Sequence, residues 1–227
     1  MTQRNIDTGL RELKQHLVHM AGYVELAIDK VIQAWQHRSL EKLAEVYAIE
    51  NNVNAAHIQI DADCLRLLAT QQPLASDLRL ILATIKMNND LERMVDQAVN
   101  IGHNLEHYLK TKDPQLDVSD IEKMAGEVKG MVRTAIDAFV RQDEILARTV
   151  IRTDDTVDDL KNDIFVNVLA YLKTHPQTIE QGLNVILIAR NLERIGDHAT
   201  NIAEDVIFSC SGKDIRHFGL KTTKDKS

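Results

Sequence analysis

The sequence is poor in residues that interrupt or cross-link a fold. Of its 227 residues only 3 are proline and 2 are cysteine, and Phe, Trp and Tyr together make up 4%. Cys64 and Cys210 are isolated, with no C-x-x-C, which argues against a disulfide framework or a thiolate zinc site and fits a reducing compartment. Few aromatics and no alternating β-branched runs argue against strands. No stretch approaches 18 apolar residues, and the start, MTQRNIDTGLRELKQHL, has no apolar signal core. The expectation is a cytoplasmic protein, peripheral to a membrane only through partners. A net charge of −7 argues against nucleic acid, whose phosphates need a cationic surface. There is also no Gly-rich phosphate loop, no G-x-S-x-G, no H-E-x-x-H and no E-x-x-H. With no nucleophile beside a base, a non-enzyme is expected.

What is present is helical. The chain is 44% hydrophobic and 27% charged, with Ala, Leu, Ile, Glu, Asp, Lys and Arg at helical spacing. Proline inside a helix loses a hydrogen bond and clashes with the preceding turn, so Pro73, Pro114 and Pro176 mark boundaries. Ser39 in RSLEK and Asp143 in RQDE mark two more, while SDIE (Ser119 to Glu122) and TIEQ (Thr178 to Gln181) match the capping-box pattern. The boundaries predict helices over 5–37, 39–72, 74–111, 117–141, 143–174 and 177–211. Three per half with short connections predict an all-α fold of two tandem antiparallel three-helix bundles, spanning 1–113 and 114–212, with a loose tail at 213–227. An internal duplication supports this division. Leu91, Glu92, Arg93, Asp96, Ala98, Asn100 and Ile101 recur unchanged 101 residues later.

The repeated segments carry acidic stripes. A helix advances about 100° per residue, which puts Asn89, Glu92, Asp96, Asn100 and His103 within an arc of about 80°. That arc lies nearly opposite the apolar face of Leu80, Met87, Leu91, Met94, Ala98, Ile101 and Leu105. The sixth helix repeats the stripe with Arg190, Glu193, Asp197, Asn201 and Glu204. The preceding helix of each half has a partner stripe: Glu50, Asn54, His57 and Asp61 in one, Asp154, Asp158 and Asn162 in the other. A polar stripe opposite an apolar face is ordinarily solvated surface. Two stripes facing each other would instead raise their carboxyl pKa values or require a cation. Carboxylate and amide oxygens suit magnesium, manganese, iron or zinc.

These segments resemble the PhoU family, the accessory proteins of the phosphate-specific transport system. The likeness rests on HMAGYVELAIDKVIQA (19–34), ENNVNAAHIQID (50–61), QQPLASDLR (71–79), NDLERMVDQAVNI and NLERIGDHATNIAED, and covers nearly the whole chain. It implies two three-helix bundles with surface metal clusters, iron or zinc foremost, held through E(D)-x-x-x-D motifs. Carried over by position, the ligands would be Glu92 and Asp96, Glu193 and Asp197, Asp154 and Asp158, and Glu50 with Asn54 in place of the second acid. LERMVD in place of the family's LERIGD puts Val95 where the second half has Gly196. The resemblance further implies a homodimer and a negative regulator of the phosphate-starvation response. Its expected partners are the ATPase subunit of the phosphate ABC transporter and the sensor kinase PhoR. A carboxylate-cluster metalloenzyme and a metal-free helical scaffold remain alternatives.

Overall fold

The computed structural model describes residues 5–110, 116 and 119–215. Within them lie six α-helices: α1 (Asn5–His37), α2 (Glu41–Gln71), α3 (Ala75–Leu109), α4 (Ser119–Arg141), α5 (Glu144–Thr174) and α6 (Ile179–Ser211). A 3-10 turn, Pro176–Thr178, precedes α6, and the described residues contain no strand. The predicted helices agree to within two residues at every end. The junction expected at 113/114 and the tail beyond Ile215 lie outside the described residues.

The breaks have identifiable causes. Arg38, Gln72 and Gln142 stop α1, α2 and α4 with positive φ of 50°, 45° and 53°. Asp143 caps α5, its carboxylate accepting from the Ile145 and Leu146 amides at 2.8 and 3.1 Å. At α3 the Asp77 carboxylate accepts from the Leu74 amide at 3.2 Å, directly after Pro73. The capping box expected at Thr178 does not form. The Thr178 hydroxyl donates backward to the His175 carbonyl at 2.8 Å, because Pro176 starts a 3-10 turn there.

The buried residues of the two halves join in one continuous core. α2 packs on α1 and α3, and α5 on α4 and α6. Between the halves α3 lies against α6, and α1 against α4. Arg79 reaches the Ser209 carbonyl, Lys86 the Asp205 carboxylate, and Asp90 meets His198, so α3 and α6 run antiparallel. The 101-residue offset maps the half-buried Asp90 and His198 onto Asn191 and Gln97, which are buried. An approximate two-fold axis therefore crosses this helix pair near Met94 and Ile195, both fully buried. Lys129 meets Asp29 at 2.5 Å and Gln36 donates to Glu122 at 3.1 Å across α1 and α4.

Antiparallel α3 and α6 put the two inter-helix turns at opposite ends. Near one, Ile58, Leu65, Leu74, Leu78 and Leu82 are exposed; near the other, Phe165, Leu169, Ile179, Leu183 and Leu187. No helix among the described residues is long and apolar enough to cross a membrane.

Candidate metal centre

The second half brings its two acidic stripes together. Val157, fully buried, fixes the face of α5 turned toward α6, and Gly196 lets the helices approach. A Cβ at Gly196 would lie 3.5 Å from Val157 Cγ1 and 3.7 Å from Asp154 Oδ1. Asp154 and Asp158 from α5 thereby come within electrostatic range of Glu193 and Asp197 from α6. Asp154 is pushed above the usual carboxylate range by burial, then by Asp158, Asp155 and Glu193. Asp197 is pushed up to about 6, first by lost hydration and then by Glu193, Asp154 and Asp158. Its outer side is nevertheless exposed, so water screens part of that repulsion.

One internal cation sits among these acids. Lys161 Nζ donates to Asp158 Oδ1 at 2.6 Å and to Glu193 Oε1 at 3.1 Å, and the pairing raises its own pKa. The Thr200 hydroxyl is close enough to Asp154 to offset part of its shift, yet it completes no hydrogen bond and is buried. An orphaned buried hydroxyl beside under-compensated carboxylates is a donor set that suits a hard or borderline cation. Among the described residues no three His, Cys, Asp or Glu side chains converge closely enough to hold an ion as they stand. Holding one would require Lys161 to withdraw.

The first half is arranged differently. Glu92 and Asp96 are met by Arg93, at 3.4 and 3.2 Å. Asp61 accepts from the Asn88 amide at 2.9 Å, and His57 Nε2 lies 3.1 Å from Asn89 Oδ1. Glu50 is close to Tyr47, whose phenol is raised first by burial and then by Glu106 and Glu50. Asn54 and Asn100 are exposed on their helices. In α6, Asn201 turns away from the acids and donates to Asp90 Oδ1 at 3.2 Å across the halves, while Glu204 is half-buried one turn further on.

Three parts of this geometry are absent from the stripes read in the sequence: the Lys161 bridge, the Thr200 hydroxyl, and the contact of His198 Nδ1 with Asp90 Oδ1 at 2.8 Å. Lys161 sits one turn after Asp158 and stands where the first half has His57, which was the available signal. The Asp90–His198 contact depends on how the halves meet and leaves no local pattern.

The PhoU domain family matches residues 17–105 and 121–206. The chain is 36% identical over 212 residues to a Pseudomonas putida protein named "Phosphate-specific transport system accessory protein PhoU homolog", covering 93% of this chain and 83% of that one. A Pseudomonas aeruginosa protein of the same name is 36% identical over 217 residues, covering 96% and 90%. The crystal structure of PhoU from Pseudomonas aeruginosa superposes with a TM-score of 0.88 at 34% identity, covering 92% of this chain and all of that one. The phosphate transport system regulatory protein PhoU from Streptococcus pneumoniae, at 24% identity and a TM-score of 0.84, shares the fold.

Proposed function

Because the chain belongs to the PhoU family, we propose that it is a metal-binding regulatory adaptor of phosphate uptake. In this reading it restrains the phosphate-starvation response by linking the ATPase subunit of the phosphate ABC transporter to the sensor kinase PhoR, as a cytoplasmic homodimer. Relatives named as accessory proteins of the transport system support a regulatory rather than catalytic role.

The observation that carries the metal reading is the facing carboxylate set of α5 and α6. Asp154, Asp158, Glu193 and Asp197 would hold iron or zinc, with manganese or magnesium as further fits to the oxygen donors. When bound, the ion would supply positive charge that offsets both the lost hydration and the mutual repulsion raising Asp154 and Asp197 above their ordinary range. The protein's own contribution is positional: Gly196 sets the spacing of α5 and α6, and Lys161 leaves Asp158 and Glu193. The first half is a poorer site, since Arg93 already meets both of its acids.

One observation favours a metal-free scaffold instead: Lys161 bridges the two stripes without any ion. Elemental analysis together with melting in chelator, iron and zinc separates the two. Bound metal and a higher melting temperature support the first reading; no metal and no shift overturn it. Pull-down of the transporter ATPase and of the kinase by wild type and by Glu193→Gln/Asp197→Asn tests the adaptor role. Binding to neither partner would overturn it.

A further inference from the structure

Beside the acidic set, between α5 and α6, lies a cavity of about 300 Å³ lined by Lys161, Asn162, Phe165, Ile186, Ala189 and Arg190. Glu193 also borders it, and Lys161 already pairs with that carboxylate. Arg190 and Asn162 are exposed, and neither side chain has an ion pair or hydrogen bond among the described residues. The remaining walls are apolar, and Phe165 is 48% exposed. The cavity thus offers an unpaired guanidinium fork and an amide against an aromatic and aliphatic surface.

The duplication provides an internal control. Glu50 is matched by Asp154 at an offset of 104 in α2 and α5, while α3 and α6 keep 101. Lys161, Phe165, Ala189 and Arg190 then occupy the places of His57, Asp61, Asn88 and Asn89. In the first half those four side chains bond one another, His57 to Asn89 at 3.1 Å and Asn88 to Asp61 at 2.9 Å, and span the space. In the second half each position has lost that partnering. A pair of polar latches has been replaced by two cations around an apolar hollow.

We propose that this cavity is a binding site, confined to the second half, for a small organic anion: a carboxylate or phosphate ester carrying an apolar group. The unpaired guanidinium fork of Arg190 suits either anionic head, while the Lys161 ammonium, shared with Asp158 and Glu193, offsets the carboxylate charge at the cavity's edge. Phe165, Ile186 and Ala189 receive the apolar part. At about 300 Å³ the space lies at the small end of ligand pockets, which limits the ligand to roughly one ring or a short acyl chain. The site does not rest on the metal reading, because its unpaired groups are there without an ion.

The test is a titration of the full chain in chelator, followed by amide NMR, with phenyl phosphate and benzoate as probes and inorganic phosphate and benzyl alcohol as controls. The expected result is saturable shifts around Phe165, Ala189 and Arg190 from at least one probe at about 1 mM, with each control about tenfold weaker or more. Which probe binds more tightly identifies the head group. Arg190→Gln, at an exposed position, should weaken binding about tenfold, and Ala189→Asn, which restores the first half's residue, should abolish it. If Ala189→Asn does not fold, Arg190→Gln alone decides. No saturable shift from either probe up to about 10 mM would overturn the proposal. So would equal response to benzyl alcohol, or unchanged affinity in Arg190→Gln.

Discussion

Replacing Asp197 with asparagine isolates the electrostatic strain in the carboxylate set. Lost hydration and the neighbouring carboxylates push the Asp197 carboxyl from the ordinary 3.8 up to about 6. Roughly two pKa units correspond to about 3 kcal/mol of unfavourable ionisation. Because the side chain is exposed on its outer side, screening leaves about 1 kcal/mol. The native state binds more protons here than the unfolded chain between about pH 4 and 6, so stability falls as pH rises through that window. Above it the full penalty is present. Without metal at pH 8, Asp197→Asn should therefore melt about 2–4 °C above wild type. Its stability should also depend less steeply on pH between about 4 and 6.5. With zinc or iron the order should reverse: wild type gains about 2.7 kcal/mol at a hundred times Kd, and the variant gains less. Differential scanning calorimetry in chelator and in metal reads both signs. A metal-free variant that melts below wild type at pH 8, or keeps the wild-type pH slope, would refute the reasoning.

Further outcomes follow from the same geometry. Lys161→Met should lower metal-free stability by about 0.5–1 kcal/mol, yet tighten zinc binding in isothermal titration, because Asp158 and Glu193 lose their competing ammonium. Gly196→Ala should be tolerated within about 0.5 kcal/mol, since its Cβ meets Val157 and Asp154 at ordinary contact distance. Gly196→Val should cost about 1–3 kcal/mol in urea denaturation and reduce the metal-induced rise in melting temperature, as its methyls press into α5. Asp90→Ala should cost about 1–3 kcal/mol, and a double-mutant cycle with His198→Ala should show coupling near 1 kcal/mol across the halves.

The helices were legible because their boundaries are local. Pro73, Pro176 and Asp143 act within a turn of themselves, so their effect is written beside them. The Thr178 cap was misread because the four-residue pattern takes no account of Pro176, which tightens the backbone before α6 begins. Of the acidic residues, Asp154, Asp158, Glu193 and Asp197 were visible as two stripes from helical arithmetic, and they do face each other. Asn201 fits the same arithmetic, but α3 competes for its amide through Asp90. That competition is set by the antiparallel fit of the halves, and a stripe drawn on one helix carries no record of it. Lys161 was equally hidden: its charge matters only because a carboxylate from another helix lies 3.1 Å away.

The antiparallel course of α3 and α6 gives the molecule a direction. Twofold repetition alone would yield interchangeable halves, but here one bears latched polar residues between α2 and α3 and the other a cationic hollow between α5 and α6. Proteins seated on the two tips would stand roughly 50 Å apart, the length of one helix, too distant to touch. Along that length the Asp90–His198 and Lys86–Asp205 contacts fasten α3 to α6, so the two ends are held by one continuous helix pair.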